Sequence, residues 1–156
     1  MNILKHKNSK KGLTLVEILI SIAILTFLFL FGLSAFRVFS GKEALSTEAK
    51  KITTAIEEAR SKTLSSEGGE RFGVYLLTNG IVVFQYPYVE GGLNNKNVSL
   101  ERGVSISSYL LTGGGNQILF KKISGETDNN GSITLVSSRE SKQIILEKTG
   151  LSYIQE

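Results

Sequence analysis

From Ile18 to Phe36 the chain runs nineteen residues without a charge, and this stretch limits what everything else can be. As a helix rising ~1.5 Å per residue it would cover about 28 Å, close to the ~30 Å hydrocarbon core of a bilayer. Lys5, Lys7, Lys10 and Lys11 precede it, and no comparable basic cluster follows immediately. That asymmetry keeps the short N-terminus cytoplasmic and exports everything beyond Arg37. A buried core helix fits poorly, because core helices rarely stay charge-free for so long.

Two other readings of the apolar run compete with a retained anchor of special function. One is a plain signal anchor; the other is a cleaved secretory signal, with Ile18 to Phe31 as its apolar region and Gly32 to Ala35 as the small-residue cut site. Glu17 speaks against the secretory signal. A carboxylate at the edge of the hydrocarbon costs up to ~2.5–3.5 kcal/mol on insertion scales and calls for a partner. Cleavage after Gly12 would provide one: the new α-amino group of Leu13 is a cation that Glu17 of a neighbouring copy could neutralise. Such a pair would set the register between subunits.

The segment Lys10-Lys11-Gly12-Leu13-Thr14-Leu15-Val16-Glu17-Ile18-Leu19 resembles the class III signal of type IV prepilins and type II secretion pseudopilins. It combines a short basic leader, a glycine before the cut, Thr-Leu-Val-Glu at fixed offsets and an unbroken apolar run. The resemblance implies that a prepilin peptidase cuts between Gly12 and Leu13 and methylates the new amine of Leu13. It also implies Glu17 as the register residue and Lys5, Lys7, Lys10 and Lys11 as the leader that fixes topology. Its partners would be other pilin or pseudopilin subunits, the peptidase, an assembly platform protein with its ATPase, and the lipid bilayer. The chain departs from the family in having Leu13 where phenylalanine is usual, and in having no proline within the apolar helix, since its one proline is Pro87.

Composition narrows the remainder. The net charge is +4, yet without the four leader lysines fourteen basic residues face fourteen acidic ones. A nucleic-acid partner therefore has no global charge behind it and is not expected. There is no cysteine, and the only histidine, His6, lies before Gly12. Beyond Gly12 imidazole bases, thiol nucleophiles and most transition-metal cages are missing from the inventory, so no enzyme, metal or cofactor is expected. Asp128-Asn129-Asn130-Gly131 offers oxygen donors for calcium, but one carboxylate is thin, and a tight turn explains it. Gly113-Gly114-Gly115 lacks the Lys-Ser/Thr of a P-loop and reads as a connection.

After Arg37, Leu45, Ala49, Ile52, Ile56 and Ala59 recur at the spacing of one helical face, with Lys50, Thr54, Glu57 and Ser61 opposite. Glu58 and Lys62 form an i,i+4 pair. The pattern predicts a helix continuing from the membrane segment to about Ser65, ended by Gly68-Gly69. Strand signals follow: Phe72 to Thr78, a type I′ turn at Asn79-Gly80, and Ile81 to Tyr86 make a hairpin. Pro87 and Glu90 to Asn97 read as loop, and further strands are expected at Val104–Leu111, Gln117–Lys122, Ser132–Val136, Gln143–Glu147 and Leu151–Ile154.

The fold expected is α+β: one long N-terminal α-helix, half transmembrane and half amphipathic, packed on a C-terminal antiparallel β-sheet, which is also the pilin layout. The segments would be a cytoplasmic leader at 1–12, a membrane and filament-core helix at 13–39, an amphipathic helix at 40–66 and an exported β domain at 67–156. Ile118-Leu119-Phe120, Ile133-Thr134-Leu135, Ile144-Ile145-Leu146 and Gly150 resemble the H-type minor pseudopilin and FimT-like group. The function implied is a structural, minor subunit of a type IV pilus-like filament serving secretion, pilus biogenesis or competence. The protein would begin as a single-pass protein of the cytoplasmic (inner) membrane and then join a periplasmic or extracellular filament. A surface or tip module for DNA uptake or adhesion on the same scaffold is the alternative.

Overall fold

The structure is a computed structural model that describes residues 14–65, 69–138 and 140–155, with the backbone alone for 32–42. It divides into two compact units, residues 1–38 and 39–156.

Helix α1, Leu15–Leu64, contributes to both units. Its start has a sequence cause. Thr14 is the cap, its side-chain oxygen accepting the Glu17 N–H at 3.3 Å while its carbonyl accepts the Ile18 N–H at 3.2 Å. Glu17 in the first turn also complements the positive end of the helix dipole.

In the second unit the predicted stripe is the buried face: Leu45, Ala49, Ile52, Ile56 and Ala59 are all fully buried. Lys50, Thr54, Glu57 and Ser61 are exposed, and Lys62 reaches Glu58 at 3.3 Å.

Eight strands follow among the described residues: β1 Phe72–Leu77, β2 Gly80–Gln85, β3 Lys96–Ser99, β4 Ser105–Leu111, β5 Gln117–Leu119, β6 Gly131–Val136, β7 Ser141–Leu146 and β8 Ser152–Gln155. They build two four-stranded sheets, β3-β2-β1-β5 and β4-β6-β7-β8, and every pairing is antiparallel. The expectation of one sheet is thus corrected to two. A strand's alternation says which of its faces is buried, but not which neighbour it pairs with. One continuous core joins the elements: the α1 stripe meets Val74, Leu76, Ile81 and Ile118 of the first sheet and Ile133, Leu135, Ile144 and Leu146 of the second.

Three local expectations are also corrected. The hairpin pairs Leu77 with Gly80, so its loop is Thr78-Asn79 rather than Asn79-Gly80. Neither loop residue has a positive φ, which a type I′ turn needs at both central positions. Other strands hold the turn instead, since the Thr78 and Asn79 carbonyls accept the N–H groups of Ile106 and Leu100, each at 2.9 Å. Gly80 serves close approach: a Cβ there would strike the Val98 carbonyl of β3. That strand is the second correction, because its first two residues fall in the segment read as loop. The third is the strand expected at Gln117–Lys122, which ends at Leu119 and continues only as an isolated bridge from Phe120 to Thr127.

Two polar side chains fasten the core. Thr63, fully buried, accepts the Phe72 N–H at 2.9 Å and donates to the Ala59 carbonyl at 3.0 Å, tying the end of α1 to the start of β1. Arg60 Nε donates to the Gly125 carbonyl at 3.1 Å. Gly150, at φ 81°, lies against that same carbonyl, leaving no room for a Cβ.

Candidate functional site

The candidate site is the N-terminal part of α1. Along Leu15 to Phe31 every large apolar side chain is exposed, from 47% at Ile18 to 76% at Leu15. A helix segment whose large apolar side chains are exposed all round is one that an apolar surrounding would suit. The hydroxyls within it fit the same surrounding: Ser21 donates to the Glu17 carbonyl and Thr26 to the Ile22 carbonyl, each at 2.8 Å. Both turn their polarity back into the helix. Phe27 and Phe31 pair one turn apart, with ring centroids at 4.7 Å.

Glu17 is exposed, and it is the only charged residue between Thr14 and Phe31. Thr14 and Glu17 stand at the T-x-x-E spacing of a capping box, a signal present in the sequence but missed in the reading above. The half of the box seen here is the bond from the Glu17 backbone to the Thr14 side chain, which leaves the carboxylate exposed. Gly12, Leu13, Lys5, Lys7, Lys10 and Lys11 lie outside the described residues, as does His6. Of the predicted site residues, Glu17 is therefore the one the structure places.

Among the described residues no helix is long and apolar enough to cross a membrane.

Asp128 is paired with Lys121 at 2.6 Å, and that hydrogen bond holds its carboxyl below the usual range, with Lys148 and Arg71 adding and desolvation opposing. Asn129 closes the free edge of β5 by accepting the Leu119 N–H at 3.3 Å. The tetrapeptide from Asp128 thus has internal work for its side chains. Among the described residues no group of three or more His, Cys, Asp or Glu gathers as a metal would require. The three glycines at 113–115 all take positive φ, forming the β4–β5 connection.

Another arrangement escaped the sequence reading. Lys96 of β3 reaches Glu58 at 2.6 Å, and Lys51 donates to the Ser99 carbonyl at 2.6 Å, so two lysines tie β3 to α1. Partners so far apart in the sequence leave no local signal.

No curated protein and no solved structure gives a significant match to the chain. Residues 7–33 match the family model described as the prokaryotic N-terminal methylation motif. The match takes in the second half of the leader from Lys7, the Gly12-Leu13 bond, Glu17 and most of the apolar run, and it supports a type IV prepilin-like class III signal at this N-terminus.

Proposed function

We propose that this chain is a structural subunit, minor in the sense of the H-type group it resembles, of a type IV pilus-like or pseudopilus filament. The methylation motif implies a pilin-like or pseudopilin subunit, and with it a prepilin peptidase and other pilin subunits as partners. In this reading the peptidase cuts between Gly12 and Leu13 and methylates the Leu13 amine, while Lys5, Lys7, Lys10 and Lys11 hold the leader in the cytoplasm.

The apolar segment 13–39 first anchors the chain in the membrane. It then packs with equivalent helices in the filament, drawn there by a platform protein and its ATPase, while the residues beyond it are exported. The observation that carries the reading is the exposed apolar surface of Leu15 to Phe31 with one carboxylate, Glu17, at its start. Lipid and later neighbouring helices cover the first, and a Leu13 amine balances the second. Nothing in this role calls for catalysis.

The test is incorporation. Sheared filaments from cells producing the parent chain should contain it, and Glu17→Ala should reduce its share by about tenfold or more, as expected from losing ~1.4 kcal/mol or more of pairing. Equal incorporation of Glu17→Ala would refute the register role.

A further inference from the structure

Two strand edges of the second unit are open in matching ways. The first sheet ends on β3, where the Leu100 N–H donates to Asn79 at 2.9 Å and the Val98 carbonyl faces Gly80. Residues 96, 98 and 100 thus turn their backbone groups toward β2, and alternation turns those of 97 and 99 outward. The outward Ser99 carbonyl already accepts Lys51. Asn97 is then the β3 residue whose N–H and C=O both face out, with no partner among the described residues. Beside this edge runs an open groove of about 590 Å3, with Lys51, Thr54, Ala55 and Glu58 of α1 along its other side.

The second sheet ends on β4. Thr112 donates to the Asn130 carbonyl at 2.8 Å, and the Leu110 carbonyl lies against Gly131 of β6. Beyond the bulge between Ile106 and Ser108, Tyr109 and Leu111 therefore face outward. The Leu111 carbonyl accepts the Gly114 N–H at 3.1 Å, which leaves Tyr109 with both backbone groups open.

Apart from the Ile106 N–H, which the Thr78 carbonyl holds, this edge is also unguarded. Ser105 to Leu111 holds no charge and no proline, and Leu110 is 78% exposed. Natural sheets block or cover such edges. The others have some protection: β3 carries Lys96, β5 is closed by Asn129, and β8 is only four residues long.

We infer that β4 of one copy adds to the outer edge of β3 of another, antiparallel, with Tyr109 opposite Asn97 and the added strand in the groove beside α1. In that register the two residues exchange both of their free backbone hydrogen bonds, and an uncharged strand enters a groove between a helix and an edge strand, a recurring mode of peptide recognition. Made head-to-tail, the contact leaves one patch of each copy free and so continues from copy to copy. The inference deepens the subunit reading by naming one contact, and rests on it for the presence of neighbouring copies.

The chain has no cysteine, so introduced ones report cleanly. Opposed residues in a hydrogen-bonded antiparallel pair have Cα atoms ~5.5 Å apart, within disulfide reach. Full-length chain in detergent carrying Asn97→Cys and Tyr109→Cys should give, on mild oxidation, a ladder of dimers and higher species. Dimers from Asn97→Cys alone would show β3 meeting β3 and overturn the inference. So would cross-linking of Asn97→Cys to Ile154→Cys on β8 in place of Tyr109→Cys.

Asn97→Pro supplies a second arm that needs no cysteine, since it removes only the outward N–H and proline is tolerated on an edge. It should keep the parent melting temperature and weaken concentration-dependent association by about tenfold. Association equal to the parent, or a parent that stays monomeric, overturns the proposal. A chain cut at Leu13 and incorporated into filaments but giving no cross-link loses only this contact. A chain that cross-links yet is never cut at Leu13 loses only the subunit reading.

Discussion

Glu17 makes one contact in the structure and has a second role in the proposal, and one substitution separates the two. Its backbone N–H meets Thr14 whatever its side chain, whereas pairing with a Leu13 amine requires the charge. Glu17→Gln keeps the capping-box chemistry and removes the charge. It should therefore fail in filament incorporation as fully as Glu17→Ala, measured on sheared filaments. Normal incorporation of the glutamine variant would assign the residue to capping alone.

Glu58 makes a second residue-scale prediction. The hydrogen bond from Lys96 holds its carboxyl below the ordinary range, Lys62 adds to this and desolvation opposes it. A depressed folded value means the stabilisation is present above the unfolded pKa, near ~4.3, and is lost as pH falls through the folded value. Lys96→Ala should accordingly lower the melting temperature at neutral pH, with the difference from the parent shrinking as pH falls through the folded value of Glu58. The processing motif was legible at this scale because its residues are contiguous. The Lys96–Glu58 and Lys51–Ser99 ties were not, because folding alone brings those partners together.

At the scale of elements, α1 was readable because a helix writes its buried face into its own sequence every three to four residues, and the stripe from Leu45 to Ala59 is fully buried. β3 was not, since Lys96-Asn97-Val98-Ser99 holds one apolar residue and exists as a strand because β2 offers it an edge. Gly80 suffered the same limit. Its neighbour Asn79 suggested a turn, while its actual reason is the Val98 carbonyl on another strand. Gly80→Ala should push β3 from β2 and cost ~1–3 kcal/mol, read by chemical denaturation of the full chain. A neutral result would show that the strand can shift without loss.

Across the whole molecule the sequence made α+β plain through its order, one helix and then only strands, but the division of those strands into two sheets depends on pairings distant along the chain. Ile56 sits in the core shared by α1 and both sheets, so Ile56→Ala should cost ~2–5 kcal/mol in equilibrium unfolding. The N-terminal unit stands differently, for its described large apolar side chains, from Leu15 to Phe31, are exposed. The proposed role requires cleavage of that segment, and mass spectrometry of the protein recovered from cells that make prepilin peptidase tests it most directly. A mature chain that begins at Leu13 and carries one methyl group on its amine is expected. A chain that keeps residues 1–12, or one that begins after Ala35, would contradict it.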